Sequence, residues 1–266
     1  MQGRVLIIAG SDPGGGAGIQ GDIKTVTALG GYAAAAITAL TAQNTQGVFG
    51  IHPVPVNFIA QQIRLVLDDI GADAIKTGML HSAEAISTIA DVLDDYPAIP
   101  LVLDPVMLSK FGAPLLQPDA MELLKKRLIP RAHIITPNIP EAELLAGGVK
   151  ITSREAMEEI GKHLLKLGCK AVLMKGGHLN GGEVTDILLA SRDLLPDSCV
   201  YTSPRIKTRH THGTGCTLAS AVATGIAQSM SLEVAVARAK NYVYEAIRTA
   251  PGLGKGHGPL NHGHSI

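Results

Sequence analysis

The sequence predicts an α/β protein with a mostly parallel central sheet flanked by helices on both faces. Three observations predict it. Short apolar runs alternate from end to end with longer segments of helical periodicity. Several of those runs are too continuously apolar for strands that face water on one side. Gly10, Gln43, Gly78, Asp104, Asn138 and Lys175 each stand just after such a run, where an open parallel sheet gathers its ligands.

Residues 4–9 are an uninterrupted apolar run after a single Arg, and they read as a first buried strand rather than a signal peptide. A glycine turn at 14–18 leads into a helix reaching about Leu29. Residues 33–42 read as a strand, with helix the alternative because of their alanines. Phe58, Ile59, Gln62, Ile63, Val66 and Leu67 give helical spacing over 56–70. A short strand at 74–77, a helix at 83–93 and a strand at 101–104 follow. A helix over 119–128 and a strand over 133–136 come next. Pro140 suits the opening of another helix, where its missing N–H costs nothing. Ser153 is the expected N-cap of a helix over 153–167, and 171–174 is a strand. Residues 183–190 and 200–206 are strands joined without a helix, so the sheet should carry an antiparallel edge near 183–206. Helices over 214–228 and 232–250 close the chain. The Gly/His-rich end, from 252 onward, is expected to be partly mobile, with His257, His262 and His264 in a solvated tail.

The chain has 266 residues, 46% of them apolar, enough to bury one large core, so a single domain over 1–266 is expected. Lys+Arg and Asp+Glu each total 23, which argues against a nucleic-acid groove or a membrane-surface patch. With no Trp and 3% aromatics there is no base-stacking platform. No stretch has the length of a membrane span. Cys169, Cys199 and Cys216 are too few and too widely spaced for a disulfide framework or zinc site, and a reducing cytoplasm fits them.

Two glycine loops carry chemistry. Gly16, Gly18 and Gly21 formally satisfy a dinucleotide fingerprint. That reading needs an acidic residue about 20 positions on, and no Asp or Glu stands between Asp22 and Asp68. No loop has the Gly-Lys-Ser/Thr ending of a Walker motif. The alternative for this loop is a turn that lets a helix pack closely. The second loop, His210-Thr-His-Gly-Thr-Gly-Cys216, precedes a helix. Gly213 and Gly215 permit positive φ, and backbone N–H groups of 213–216 can converge there on an anion. Cys216 at the same helix end is expected to have a lowered thiol pKa. An anion cradle with a base at its lip is what phosphoryl transfer to a hydroxyl requires. The alternative for Cys216 is an inert core thiol. His210 and His212, without further partners, are weak metal ligands.

The blocks IAGSDPGGGAGIQGDIKT, ITALTAQNTQGV, IKTGML, LDPVM, ITPNIPEAELL, VLMKGGH, THGTGCTLASAVA and GKGHGP run the length of the chain. In this order they resemble the ribokinase-like superfamily, and within it the bacterial hydroxymethylpyrimidine/phosphomethylpyrimidine kinase family of thiamin biosynthesis. The resemblance implies a ribokinase-like fold and two ATP-dependent steps at one site. The hydroxymethyl group of 4-amino-5-hydroxymethyl-2-methylpyrimidine is phosphorylated, and the monophosphate is then carried to the diphosphate. It implies that the pyrimidine lies against Gly10, Asp22, Gln43, Met79 and Val106. Read alone, Asp22 is equally an exposed carboxylate at a helix start, and Met79 and Val106 are ordinary core residues.

By the same resemblance Gly213, Thr214, Gly215 and Cys216 form the anion hole, with Cys216 as base where most of the superfamily has Asp. Asn138 and Glu141 match a motif that organises Mg²⁺ near the nucleotide phosphates, with Asp104 the other carboxylate candidate. Glu141 serves equally well as a helix-start carboxylate. Lys175 lies near the ATP phosphates, followed by Gly177, and Thr208 is a further nucleotide-site assignment. A homodimer is implied. The chain departs from the family at Gly14, where Ser is frequent, and at His210, where Asn is frequent. It departs again in the flap, where Lys110-Phe111-Gly112-Ala113 replaces Lys-Ser-Gly-Asp. The nearest competing function is a pyridoxal/pyridoxine kinase, whose substrate is also a flat ring with a hydroxymethyl group. A non-catalytic small-ligand binder is the alternative from another class.

Overall fold

Along β1 (Arg4–Ser11) side chains alternate between two interiors. Leu6 and Ile8 join one apolar cluster, while Val5, Ile7 and Ala9 join another. A strand buried on both faces needs no polar residue, which is why this run shows no alternation of character. The computed structural model describes residues 2–265 except Ser109, Lys110, Phe111, Ala113, Pro118 and Pro196. The predicted flap departures at 110, 111 and 113 therefore lie outside the described residues.

After β1 come α1 (Gly18–Ala28), β2 (Tyr32–Asn44), β3 (Gly47–Pro53), α2 (Val56–Asp69), β4 (Ala74–Thr77) and α3 (Ala83–Asp94). Then follow β5 (Leu101–Leu103), α4 (Ala120–Leu123) with a π-helical turn at Leu124–Leu128, β6 (Ile134–Ile135) and α5 (Ile139–Leu145). The chain continues through α6 (Arg154–Leu165), β7 (Ala171–Lys175), β8 (Glu183–Ala190), β9 (Cys199–Pro204), α7 (Thr214–Ala227) and α8 (Leu232–Arg248). Among the described residues the strands form one sheet, ordered β3-β2-β1-β4-β5-β6-β7-β8-β9. The six from β2 to β7 are parallel. The pairs β7/β8 and β8/β9 are antiparallel, as expected.

Helices α2 to α6 cover one face through Ile59, Ile63, Ile86, Ile89, Ala142 and Leu164. Helices α1, α7 and α8 cover the other through Val26, Val222 and Val236. The chain steps from β1 outward to β2, then crosses back to β4 on the other side of β1. That reversal opens a crevice beyond the carboxyl ends of β1 and β4.

Two expectations are corrected. The sheet has a second antiparallel edge, because β3 pairs back on β2 from Ala39↔Pro53 to Asn44↔Gly47. The segment GVFGIHP carries two glycines and a proline, so composition gave no strand signal. The C-terminal segment is not a loose tail. Leu260 and His262 are buried, His212 pairs with Pro259, and the Tyr242 hydroxyl donates to His262 O at 2.6 Å. His262 is neutral, its pKa pushed down to about 4 chiefly by burial. No helix among the described residues is long and apolar enough to cross a membrane.

Candidate active site

A cavity of about 740 Å³ opens at the crevice and is lined from β1, β2, β4, β7, the residues just after β5 and the N-terminus of α7. At its floor a Cβ on Gly10 would stand 2.5 Å from the Met79 methyl, so any larger residue there would displace the end of the Met79 side chain. Val106 and Met79 supply apolar wall, and Gln43 reaches in from β2. The β2/β3 register slips between Ala42 and Gln43, a bulge of the kind that re-aims a side chain.

The loop before α7 forms the opposite side. Gly213 is the N-cap with φ +88°, and a Cβ there would collide with the Gly16 carbonyl. Loop and first helical turn are thus wedged against the first glycine loop. The Thr214 hydroxyl donates to Thr211 O at 2.7 Å. The N–H groups of Gly215 and Cys216 belong to the first helical turn, which has no preceding carbonyls to use. Both residues line the cavity, at a helix end that carries partial positive charge.

Behind that loop lies a charged cluster. Asp104 Oδ1 accepts from Thr136 Oγ1 and Lys175 Nζ, both at 2.9 Å, and Lys175 is 3.9 Å from Glu141 Oε2. Burial opposes ionisation of Asp104, yet Lys175 and Lys76 hold its pKa below the usual range. Glu141 lacks so close a cation, and burial pushes it up to about 7. Asn138 and Glu141 form a reciprocal capping box on α5: Asn138 Oδ1 accepts Glu141 N–H at 3.0 Å, and Glu141 Oε2 accepts Asn138 N–H at 2.8 Å. The expected helix-start role of Glu141 and a place at the cavity therefore coexist. Gly177 lines the cavity too.

Three expectations about site residues need correction. Asp22 does not line the cavity. It is fully buried, with Oδ2 2.7 Å from Lys76 Nζ and Oδ1 accepting from Ser220 Oγ at 2.7 Å. Thr208 does not line it either; its hydroxyl accepts the His210 N–H at 3.1 Å. The Cys216 thiol is not lowered. Withdrawal from water pushes it up to about 11, overcoming the opposing pull of Lys76. A helix N-terminus favours a thiolate only while solvent or a close cation helps it.

Sequence reasoning missed Lys76. It lines the cavity with no solvent exposure, and Asp22 is its counter-ion. The signal was present: a lysine inside a four-residue strand otherwise read as buried implies a buried carboxylate partner. Asp12 and His212, joined at 2.8 Å, also line the cavity. So do Asp186 and Lys240, joined at 2.7 Å. Sequence patterns do not announce such pairs, since their members lie 200 and 54 positions apart.

The family model for phosphomethylpyrimidine kinase matches residues 12–261. A thiamine biosynthesis bifunctional protein, ThiED, of Geobacter sulfurreducens is 53% identical over 261 residues. The match covers 98% of this chain and 52% of that protein, so this chain spans about half of that relative's length. The hydroxymethylpyrimidine/phosphomethylpyrimidine kinase of Bacillus subtilis is 45% identical, with 97% of this chain and 94% of that protein covered. Among solved structures, the ADP complex of Bacillus subtilis pyridoxal kinase superposes with a TM-score of 0.90 at 33% identity, covering 98% of both chains. The ribokinase-like architecture expected from the sequence blocks is the one observed. With most of its length matched by that family model and nearly all of it by a kinase relative at this identity, the chain belongs to the phosphomethylpyrimidine kinase family.

Proposed function

We propose that the chain transfers the γ-phosphoryl group of ATP to 4-amino-5-hydroxymethyl-2-methylpyrimidine, and then a second one to the resulting monophosphate. The observation that carries this reading is the convergence of three parts on one cavity: the Gly213–Cys216 loop, the Lys175/Asp104/Glu141 cluster, and the Gln43/Met79/Val106 wall. In the first step the hydroxymethyl oxygen bonds the γ-phosphorus while the bond to the β–γ bridging oxygen breaks and ADP leaves. The hydroxyl proton passes to Cys216 Sγ, as thiolate. In the second step a phosphate oxygen of the monophosphate is the nucleophile, and no proton need be removed. The amides of Gly213, Gly215 and Cys216 hold the charge that spreads over the migrating group, while the Thr214 N–H donates to Thr211 O and keeps the loop in shape. Lys175 offsets phosphate charge, and Gly177 leaves room beside it.

Asp104 and Glu141 fit Mg²⁺: both are hard oxygen donors, and Glu141 is a buried carboxylate short of positive charge. When bound, the ion would neutralise charge on the nucleotide phosphates. Among the described residues no group of three or more His, Cys, Asp or Glu could hold a metal, so waters and phosphate oxygens would have to supply the ion's other ligands.

Product analysis by mass spectrometry, after incubation with ATP, Mg²⁺ and the hydroxymethylpyrimidine, should show mono- and diphosphate. Absence of both overturns the reading. The superposition on pyridoxal kinase favours a second reading, phosphorylation of pyridoxal or pyridoxine, so the same assay is run with those rings. Silence with every ring would favour a binding protein instead. The reading extends to a single kinase domain over 1–266 and to a homodimer, supported by apolar Leu40 and Phe49 exposed on the β2/β3 edge. It extends to a cytoplasmic setting as well, supported by three free cysteines.

A further inference from the structure

One cluster on the cavity wall has no part in the transfer chemistry. His212 Nε2 lies 2.8 Å from Asp12 Oδ2 and 3.3 Å from Gln43 Nε2. Asp12 is buried, and its carboxylate also accepts the N–H groups of Gly14 at 2.8 Å, Ala17 at 2.9 Å and Gly16 at 3.2 Å. Burial opposes its ionisation, but His212 and these amides hold its pKa below the usual range. An ionised carboxylate only accepts, so the proton in the 2.8 Å contact sits on His212 Nε2.

That proton decides how Gln43 is turned. A protonated Nε2 cannot accept from the Gln43 amide nitrogen, and two donors would oppose each other at 3.3 Å. A half-turn keeps the amide's shape and removes the conflict. The oxygen then shares the one His212 Nε2–H with Asp12, as the longer, 3.3 Å arm of a three-centre bond whose shorter arm is the 2.8 Å contact. The nitrogen moves to the end of the amide that lies 3.2 Å from Thr41 Oγ1. The Thr41 hydroxyl directs its one proton to Ser11 O at 2.9 Å, so its lone pairs are open to an amide N–H. In this arrangement the Gln43 nitrogen no longer faces a protonated ring nitrogen, and both ends of the amide have a complementary partner.

We infer that Asp12 and His212 are positioning residues that fix the Gln43 amide with its oxygen toward the anion loop, so that the cavity selects a ring bearing an amino donor beside its hydroxymethyl group. His212 directly precedes Gly213, whereas Thr41 hydrogen-bonds back to β1. One lone pair of the oxygen and one N–H of the nitrogen remain for the ring. In the aminopyrimidine of the proposed function, on which this inference rests, the amino group is next to the carbon carrying the hydroxymethyl group. A ring nitrogen acceptor follows on its other side. Pairing amino with amide oxygen and ring nitrogen with amide nitrogen turns the hydroxymethyl group toward Gly213. A ring with oxo in place of amino presents acceptor then N–H, the reverse order, and leaves both contacts mismatched.

The test compares kcat/KM for the 4-amino ring and its 4-oxo analogue in the wild-type chain, His212→Leu and His212→Gln. The wild type should prefer the amino ring by about 10⁴-fold, the scale of a site built to hydrogen-bond one partner. In His212→Leu the amide is free to turn, and the preference should fall at least about tenfold. His212→Gln keeps an N–H at the place of Nε2 and should retain it. An unchanged preference in His212→Leu, or no preference in the wild type, overturns the inference. Should His212→Leu fail to fold, the ¹⁵N spectrum of the wild-type chain decides: Nε2 of His212 should carry a proton, and a bare Nε2 overturns the inference. A wild type that phosphorylates neither ring defeats the proposed substrate instead, and the tautomer result still stands by itself.

Discussion

The thiol of Cys216 borders the cavity between a lysine that would ionise it and a burial that prevents it. With a pKa near 11, about one thiol in ten thousand is ionised at pH 7 in the free chain. A base held so weakly ionised should make the first phosphorylation speed up roughly tenfold per pH unit through the alkaline range. The second, whose nucleophile is already an anion, should not follow. Cys216→Ala should therefore slow the first step by about 10²–10⁴-fold and the second by less than about tenfold. Single-turnover rates for each step check this, and equal losses would remove Cys216 from the proton path. Glu141 titrates in the opposite sense to an ordinary paired carboxylate. Its folded pKa is raised from 4.5 to about 7, chiefly by burial, so the folded chain keeps a proton that the unfolded chain loses. The resulting stability is complete below the unfolded value and disappears as pH rises through about 7, a change on the order of 3 kcal/mol at most. Glu141→Gln removes that titration. Its urea midpoint should fall less between pH 5 and pH 8 than that of the wild type, and parallel falls would contradict the assignment.

At the scale of elements, the site depends on how two glycine loops are pressed together at the start of α7. Gly213 takes a left-handed φ and has no space for a Cβ beside Gly16. Gly213→Ala should therefore pull the first turn of α7 off the cavity, lowering kcat by about 10²-fold or more while the sheet stays folded. Far-ultraviolet circular dichroism together with turnover would show this, and a variant with full activity would mean that the amides do not hold the migrating group. This loop was readable in the sequence because glycine spacing and a following helical pattern report backbone geometry directly. The parallel strands were readable for a similar reason, since burial on both faces demands uninterrupted apolar residues. Strand β3 was not, because its pairing with β2 is stabilised by register rather than by its own residues. The pair Asp12–His212 was hidden for a related cause. Each member looks ordinary alone, and only the packing of the loop after β1 against the loop before α7 brings them together.

Across the whole molecule the last residues close the structure over its own site. His212 N–H donates to Gly258 O at 3.1 Å, and His257 N–H donates to Thr45 O at 2.7 Å. His262 Nε2 meets Thr217 Oγ1 at 3.0 Å, beneath the first turns of α7. The segment thus ties α7, α8 and the β2/β3 turn to one another, while its buried Leu260 adds apolar contact. Ending the chain at Ala250 should expose that surface and leave the Thr217 and Tyr242 hydroxyls without these partners. Each buried hydroxyl so stranded costs about 1–3 kcal/mol, and burial of a leucine contributes about as much again. The shortened chain should therefore melt well below the parent. The free peptide 251–266 should not restore it at micromolar concentration, because ordering a glycine-rich segment opposes its binding. Nor should the loss be confined to stability. Without the contact from Gly258, the backbone of His212 is released one residue before the anion loop, so phosphoryl transfer should fall even at temperatures where the shortened chain remains folded. Turnover measured well below the melting transition of both chains checks this. A shortened chain that melts early yet works at the parental rate when cold would restrict the segment to holding the fold together.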